Sequence, residues 1–238
     1  MMNMENYQSE IGAPRVLDRS VASTLMRSVY YWMAGALVIT GLTAMLVAGN
    51  EALMTAIFNN SAILWGLIIA EFALVVALSA AINKMSFATA TIMFIVYSVL
   101  NGVTLSSIFV VYTMGSIAST FFVTAGMFAA TAVFGTVTKK DLSGIGRFAF
   151  MALIGLIIAS VVNVFLHSEM FYWLTTFAGV VIFAGLTAWD AQKIEQMFAE
   201  QYEVNESTQK LALLGSLTLY LDFINLFLYL LRIFGKRD

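Results

Sequence analysis

The 238-residue sequence contains no cysteine, a single histidine and a single proline. The absence of cysteine excludes disulfide bonds, thiol nucleophiles, and zinc or iron–sulfur sites with cysteine ligands. Because His167 is the only histidine, a metal site built from several histidines is also excluded. The one proline, Pro14, lies near the N-terminus, so every apolar stretch after it is free to form an unbroken helix.

Charged residues are also scarce. They make up 11% of the chain, against about 25% in an average soluble domain, while 61% of the residues are apolar. The net charge of −2 includes no basic excess, so we expect no nucleic-acid partner. A globule of this size cannot bury so much apolar surface. The composition therefore predicts an integral membrane protein whose surroundings are the lipid bilayer.

Seven apolar runs are long enough to cross the ~30 Å hydrocarbon core as helices. They are continuous, whereas transmembrane strands alternate in hydropathy, so a barrel is disfavoured. The predicted spans are 29–47, 63–82, 88–111, 117–134, 148–166, 173–190 and 211–233. Residues 1–28 carry no recognisable signal peptide and are expected to form an N-terminal tail. The predicted fold is an all-α, seven-helix transmembrane bundle over residues 29–238.

The positive charges predict the orientation of the bundle. Nine of the twelve cations precede the first span or follow the second, fourth and sixth: Arg15, Arg19, Arg27, Lys84, Lys139, Lys140, Arg147, Lys193 and Lys210. This asymmetry places the N-terminus in the cytoplasm. The other three, Arg232, Lys236 and Arg237, would then lie outside after seven crossings. A re-entrant hairpin at the seventh segment is therefore an open alternative.

Three acidic residues lie within or at the end of predicted spans. Glu71 is near the middle of the second span, Asp190 ends the sixth, and Asp222 is near the middle of the seventh. Placing an ionisable side chain at the bilayer centre costs at least ~2.5 kcal/mol, so such a residue usually has a functional role. The alternative is that these acids only satisfy polar groups between helices, or, for Asp190, that it is a solvated helix end.

Asp222 belongs to a polar stripe on one face of the seventh span, formed by Gly215, Thr218, Asp222, Asn225 and Tyr229. A polar stripe within a membrane turns toward protein or water, so this helix is expected inside the bundle. If the polar side of the sixth span faces the stripe, Asp190 and Asp222 come within hydrogen-bonding reach.

Ionising both of two adjacent carboxylates that are shielded from water is energetically unfavourable. One of them would therefore hold a proton that it shares with its neighbour. Protonated, the pair is a hydrogen-bonded clasp. Ionised, it repels and attracts a hard cation such as Ca²⁺. The hypothesis is a proton switch at Asp190 and Asp222 that binds Ca²⁺ transiently and needs no cofactor.

Three segments resemble a known family. WDAQKI at 189–194 and LYLDFINLF at 219–227 resemble the last two helices of the Bax inhibitor-1 (TMBIM) family, and KKDLS at 139–143 resembles its basic loop between helices four and five. The likeness runs from about Arg27 to the C-terminus. The whole chain resembles a bacterial inner-membrane member of the Bax inhibitor-1/YccA-type group.

The resemblance implies seven helices with the last one central, and a pH-sensitive calcium leak gated by Asp190 and Asp222. It also implies a second role, the modulation of a membrane protease in bacteria or of cell death in eukaryotes. Glu71 matches an acid in the second helix of a bacterial relative. That relative also has an arginine there that latches onto the sixth-helix aspartate. Here Lys84 is the only cation nearby and is the candidate for such a latch. Because a lysine lacks the bidentate fork of arginine, we expect the latch to be weaker or absent.

Four functions remain after this comparison. The favoured one is a pH-gated cation leak channel, with Glu71, Thr218, Asn225 and Tyr229 supporting the aspartate pair. The runner-up is a non-catalytic regulator that binds a membrane protease or another partner. A proton-coupled carrier is a third. An intramembrane aspartyl protease is disfavoured because Asp222 follows Leu219-Tyr220-Leu221 rather than a Gly-x-Gly segment, and no span contains proline. We expect no enzymatic activity.

Overall fold

The computed structural model describes residues 19–237, and within this range it contains helices and no β-strand. The helices are α1 (Arg19–Ala48), α2 (Glu51–Phe58), α3 (Ser61–Ala81), α4 (Phe87–Leu105), α5 (Ile108–Val111), α6 (Met114–Val137), α7 (Ser143–Leu166), α8 (Glu169–Ala199) and α9 (Glu206–Phe234). A single 3₁₀ turn, Ile82–Lys84, follows α3.

Seven of the described helices are long and apolar enough to cross a membrane: α1, α3, α4, α6, α7, α8 and α9. The predicted all-α, seven-span fold is confirmed. Several helices extend beyond the predicted apolar runs; α1 begins at Arg19 and α8 continues to Ala199. Of the predicted N-terminal tail 1–28, residues 1–18 lie outside the described residues and residues 19–28 belong to α1.

The seventh span is one unbroken helix. α9 contains 29 residues, which at ~1.5 Å per residue gives a length of about 44 Å. Asn205 begins it with a capping box, in which its side chain accepts from the Thr208 N–H and the Thr208 hydroxyl accepts from the Asn205 N–H. The re-entrant hairpin considered from the sequence is therefore wrong, because α9 is one helix that is long and apolar enough for a seventh crossing.

The spans differ widely in burial. In the most apolar window of each helix, 67% of α9 is buried inside the protein, against 6% of α3 and 11% of α7. α9 packs against α1, α4, α6 and α8. The helix that carries Asp222 is thus shielded mainly by protein, while α3 and α7 present most of their surface to the surroundings. The central position of α9 stays a prediction.

Hydrogen bonds fix the connections at the two ends of the bundle. At one end, Lys210 Nζ donates to the Met85 carbonyl at 3.1 Å, and the Phe87 N–H donates to Glu206 Oε1 at 2.9 Å. At the other end, the Thr113 N–H donates to the Lys236 carbonyl at 3.1 Å. The cations Arg232, Lys236 and Arg237 therefore lie at the end opposite the connection between α8 and α9.

Candidate functional site

The two aspartates singled out in the sequence meet between α8 and α9. The carboxyl groups of Asp190 and Asp222 are in hydrogen-bonding contact. Since an ionised carboxylate only accepts, this contact requires a proton on one of them. Asp222 is 5% exposed, and Asp190 is partly buried. Oδ2 of Asp222 has no hydrogen-bond donor among the described residues.

The polar stripe of α9 lies against α8 over its whole length. Toward one end of the stripe, a Cβ added to Gly215 would lie 3.2 Å from Ile194 of α8. Toward the other end, the ring of Tyr229 covers Gly179, where an added Cβ would be 2.6 Å away. Close contacts on both sides of Asp222 thus hold the two helices together at the depth of the aspartate pair.

Tyr229 of the stripe makes two ring contacts. Its ring stacks on Phe183 of α8 with centroids 5.8 Å apart, and the guanidinium of Arg232 lies 5.0 Å from its centroid. The side chain therefore joins the apolar α8–α9 interface to the charged end of α9.

Thr218 and Asn225 satisfy their polar atoms within α9. The Thr218 hydroxyl donates to the Leu214 carbonyl at 3.1 Å, and the Asn225 amide donates to the Leu221 carbonyl at 2.8 Å. The structure therefore places these two residues on the same stripe as Asp222 without joining them to the aspartate pair by hydrogen bonds.

Glycines of two neighbouring helices fix the turn of α8 that precedes Asp190. Gly135 of α6 contacts the backbone of Ala188, and Gly146 of α7 lies under the ring of Trp189. A Cβ at either glycine would overlap α8. Consecutive residues of α8 are thus directed at three helices, with Asp190 itself directed at α9.

Gln192 fixes α8 to the connection between α6 and α7. Its Oε1 accepts from the Leu142 N–H at 2.9 Å, and its Nε2 donates to the Lys140 carbonyl at 2.9 Å. Gln192 and the glycines 135 and 146 were not among the predicted site residues. The signal for Gln192 was present, since it is an amide two residues after Asp190 in the same motif, whereas nothing local marks the two glycines.

The match to known proteins covers nearly the whole chain. Residues 22–238 match the model of the family described as "Inhibitor of apoptosis-promoting Bax1". The chain belongs to the Bax inhibitor-1 family. It is 52% identical over 224 residues to the inner membrane protein YbhL of Escherichia coli K12, an alignment covering 93% of this chain and 95% of YbhL.

Further relatives align over a similar length. An uncharacterized protein of Borreliella burgdorferi is 45% identical over 217 residues, covering 91% of this chain and 94% of the relative. The uncharacterized protein RP147 of Rickettsia prowazekii is 44% identical over 216 residues, covering 89% of each chain. The resemblance identified from the three sequence segments is confirmed at the level of the family.

The cation beside the aspartate pair of this family member comes from α8 itself. Lys193 is the cation whose charge acts on Asp190, and its Nζ lies 5.1 Å from the centroid of the Trp189 ring. Lys84, which the sequence suggested as a latch, is exposed at the end of the 3₁₀ turn. The role of Lys84 as a latch stays a prediction.

Glu71 belongs to a different polar cluster. It accepts from the Thr104 hydroxyl at 2.5 Å and from the Asn101 amide at 3.4 Å, both on α4. Asn101 Oδ1 in turn accepts from the Tyr220 hydroxyl at 2.9 Å, which lies 2.7 Å from the Thr40 hydroxyl. This Glu71 network joins α1, α3, α4 and α9, and its hydrogen bonds do not include the stripe residues.

The acids do not form a side-chain cluster suited to tight metal binding. Within residues 19–237 no group of three or more His, Cys, Asp or Glu side chains is placed to hold a metal ion. Asp190 and Asp222 supply at most about four oxygens of the ~6–8 that Ca²⁺ takes. The pair by itself therefore supplies fewer ligands than a tightly held Ca²⁺ takes.

Proposed function

We propose that this Bax inhibitor-1 family protein is a pH-sensitive leak channel for Ca²⁺ and related cations, gated by protonation of the Asp190–Asp222 pair. The observation that carries the proposal is the contact between the two carboxyl groups, of which that of Asp222 is buried. An intramembrane pair of ionisable groups marks an ion or proton pathway more often than a structural contact.

The pair acts as a switch because its two charge states favour different geometries. With one proton between them, the carboxyl groups attract and hold α8 against α9. With both ionised, they repel across a short distance that water does not screen. Protonation thus biases an element with two arrangements, as a gate requires.

Separation of α8 from α9 would expose a path suited to a hard cation. The stripe of α9 carries the hydroxyl of Thr218 and the amide of Asn225 on the same face as Asp222. Ionised carboxylates and these neutral oxygens are the ligand types that Ca²⁺ prefers. Their small number favours passage over storage, and nothing in the proposed mechanism requires catalysis.

The relatives and the charges support a proposed compartment and orientation. YbhL is named an inner membrane protein, and we extend that location to this chain. The nine cations grouped at the N-terminal side predict that this side faces the cytoplasm.

The test is a Ca²⁺ flux measurement on purified protein in liposomes between about pH 5 and pH 8. The decisive variant carries Asp190→Asn together with Asp222→Asn. Asparagine keeps the shape and hydrogen bonding of a protonated aspartate and cannot ionise. We therefore expect this variant to hold, at every pH, the flux that the wild type shows at the acidic limit.

The matched control is Asp141→Asn. This acid lies in the exposed connection before α7, where hydrogen bonds from Ser143 hold the pKa of its carboxyl below the ordinary value, so it stays ionised throughout the range. An unchanged pH response in the double variant would contradict the gate.

The runner-up functions have distinct outcomes in the same liposomes. Absence of flux above empty vesicles at every pH would overturn the channel in favour of a non-catalytic regulator that binds a membrane protease or another partner. Saturating flux that requires counter-transport of protons would overturn it in favour of a carrier.

A further inference from the structure

A deep apolar groove lies between α1 and α6. Its volume is about 1120 Å³, and Phe223 of α9 contributes to its lining. Both α1 and α6 pack against α9, and the groove separates them from each other. The space stays open because several lining side chains are small, among them Ala34 on α1 and Ala125 and Ala129 on α6. Ala129 is exposed, so the groove opens toward the surroundings of the bundle.

The length of the groove matches one leaflet of a bilayer. On α1 its lining runs from Ala22 to Leu37, a rise of about 22 Å at ~1.5 Å per residue. On α6 it runs from Phe121 to Thr136, the same number of residues. Half of the ~30 Å hydrocarbon core plus one headgroup region has a similar depth. A partner transmembrane helix would need a contact surface across the whole membrane, so the dimensions favour a lipid tail.

The groove has an acidic residue at one end. Glu195, near the C-terminal end of α8, is the charged residue of its lining. Tyr30 of α1 lines the same groove. Within residues 20–237, no cation forms a salt bridge with this partly buried carboxylate. A carboxylate at the level of the headgroups attracts an ammonium group and repels an anionic headgroup.

We propose that this groove is a phospholipid site, in which an acyl chain of one leaflet lies between α1 and α6 and the primary ammonium of an ethanolamine headgroup binds Glu195. The ammonium donates hydrogen bonds to the carboxylate, which a quaternary choline headgroup cannot do. The tail reaches Phe223, which belongs to an aromatic cluster with Phe121 and Phe128, at ring distances of 5.4 Å and 5.5 Å.

Headgroup selectivity is tested by native mass spectrometry of the purified protein. The protein is incubated with equal amounts of phosphatidylethanolamine, phosphatidylcholine and phosphatidylglycerol that carry identical acyl chains. We expect the ethanolamine lipid to be retained about two- to fivefold over the glycerol lipid, the range for one partly exposed ion pair. Glu195→Gln should remove this preference, whereas Glu200→Gln, on the exposed residue after α8, should keep it.

The position of the tail is tested by filling the groove. Ala129→Trp places an indole in it, and Ala130→Trp places the same group on the next residue of α6, which is exposed and does not line the groove. We expect the first variant to lose bound lipid of every class and the second to retain it. Ala125→Leu is a smaller filling variant for the case in which Ala129→Trp does not fold.

Four results would overturn the proposal. One is equal lipid retention by the filled variants and the wild type. The second is a wild-type preference for phosphatidylglycerol, and the third is that the wild type retains no lipid. The last is a dimer of this chain that Ala129→Trp dissociates, which would assign the groove to a second copy instead of a lipid.

Discussion

Gly135 of α6 and Ala188 of α8 are in direct backbone contact, and a Cβ built on Gly135 would overlap the Ala188 carbonyl group. This contact lies two residues before Asp190, so it sets the distance between α6 and α8 beside the aspartate pair. A backbone carbonyl cannot rotate aside as a side chain can, and any larger residue at position 135 must push the two helices apart.

We predict that Gly135→Ala destabilises the protein by about 1–3 kcal/mol, the usual result of overpacking a close contact. The matched control is Gly126→Ala on the same helix, where an added Cβ meets nothing within 4 Å. That change should be neutral or stabilising by up to ~1 kcal/mol, because alanine favours helix. Unfolding of both variants in detergent, followed by circular dichroism, compares them. Equal stability of the two would contradict the backbone contact.

Gln192→Glu should loosen the connection between α6 and α7. The glutamine donates to one carbonyl and accepts from one N–H, whereas a glutamate has no donor and brings an oxygen against the Lys140 carbonyl. The free energy of unfolding should fall by about 1–3 kcal/mol, the usual cost of leaving a buried hydrogen-bonding group without its partner. We expect faster trypsin cleavage after Lys139 and Lys140. Gln196→Glu, on an exposed residue of the same helix, is the control and should be cleaved at the wild-type rate.

Tyr220→Phe removes the hydroxyl at the centre of the Glu71 network. Because this hydroxyl joins Thr40 to Asn101 in a buried setting, we expect a loss of about 1–3 kcal/mol in the free energy of unfolding. Tyr97→Phe is the control, since it keeps the edge-on ring contact with Tyr220 and leaves these hydrogen bonds in place. A smaller loss at 220 than at 97 would show that the network contributes little.

The seven crossings predict that the two ends of the chain lie on opposite sides of the membrane. Alkaline phosphatase is active only outside the cytoplasm. A fusion after the last residue should therefore be active, and one inserted after Asp141, in the connection between α6 and α7, should be inactive. Activity in both, or in the second alone, would contradict the predicted orientation.

The location of the spans was accessible from the sequence because hydropathy is a local property. The ends of the helices were less accessible. α8 continues past Asp190 through Lys193 and Glu195 to Ala199, since backbone hydrogen bonding persists after the side chains become polar. Asp190 therefore lies within a helix, as the polar continuation after it indicated, and it is partly buried rather than a solvated helix end.

The stripe of α9 was a good guide to the face that carries Asp222, but not to the partners of each member. Thr218 and Asn225 bond to their own helix, and Tyr229 stacks on Phe183. Helical periodicity predicts which residues share a face. It does not predict which residues of the neighbouring helix each of them contacts.

The amino-acid sequence by itself determined that this is a seven-span membrane protein of the Bax inhibitor-1 family. The reason is that hydropathy and the motifs at 189–194 and 219–227 are properties of consecutive residues. Only the tertiary structure decided that Asp190 meets Asp222 and that Glu71 joins Asn101 and Thr104. The physical reason is that lipid is as apolar as the helix surfaces, so hydropathy does not fix how helices rotate and slide against one another. Close contacts such as that of Gly135 with Ala188 fix the rotation and the relative height of the helices. These contacts form only when distant parts of the chain come together.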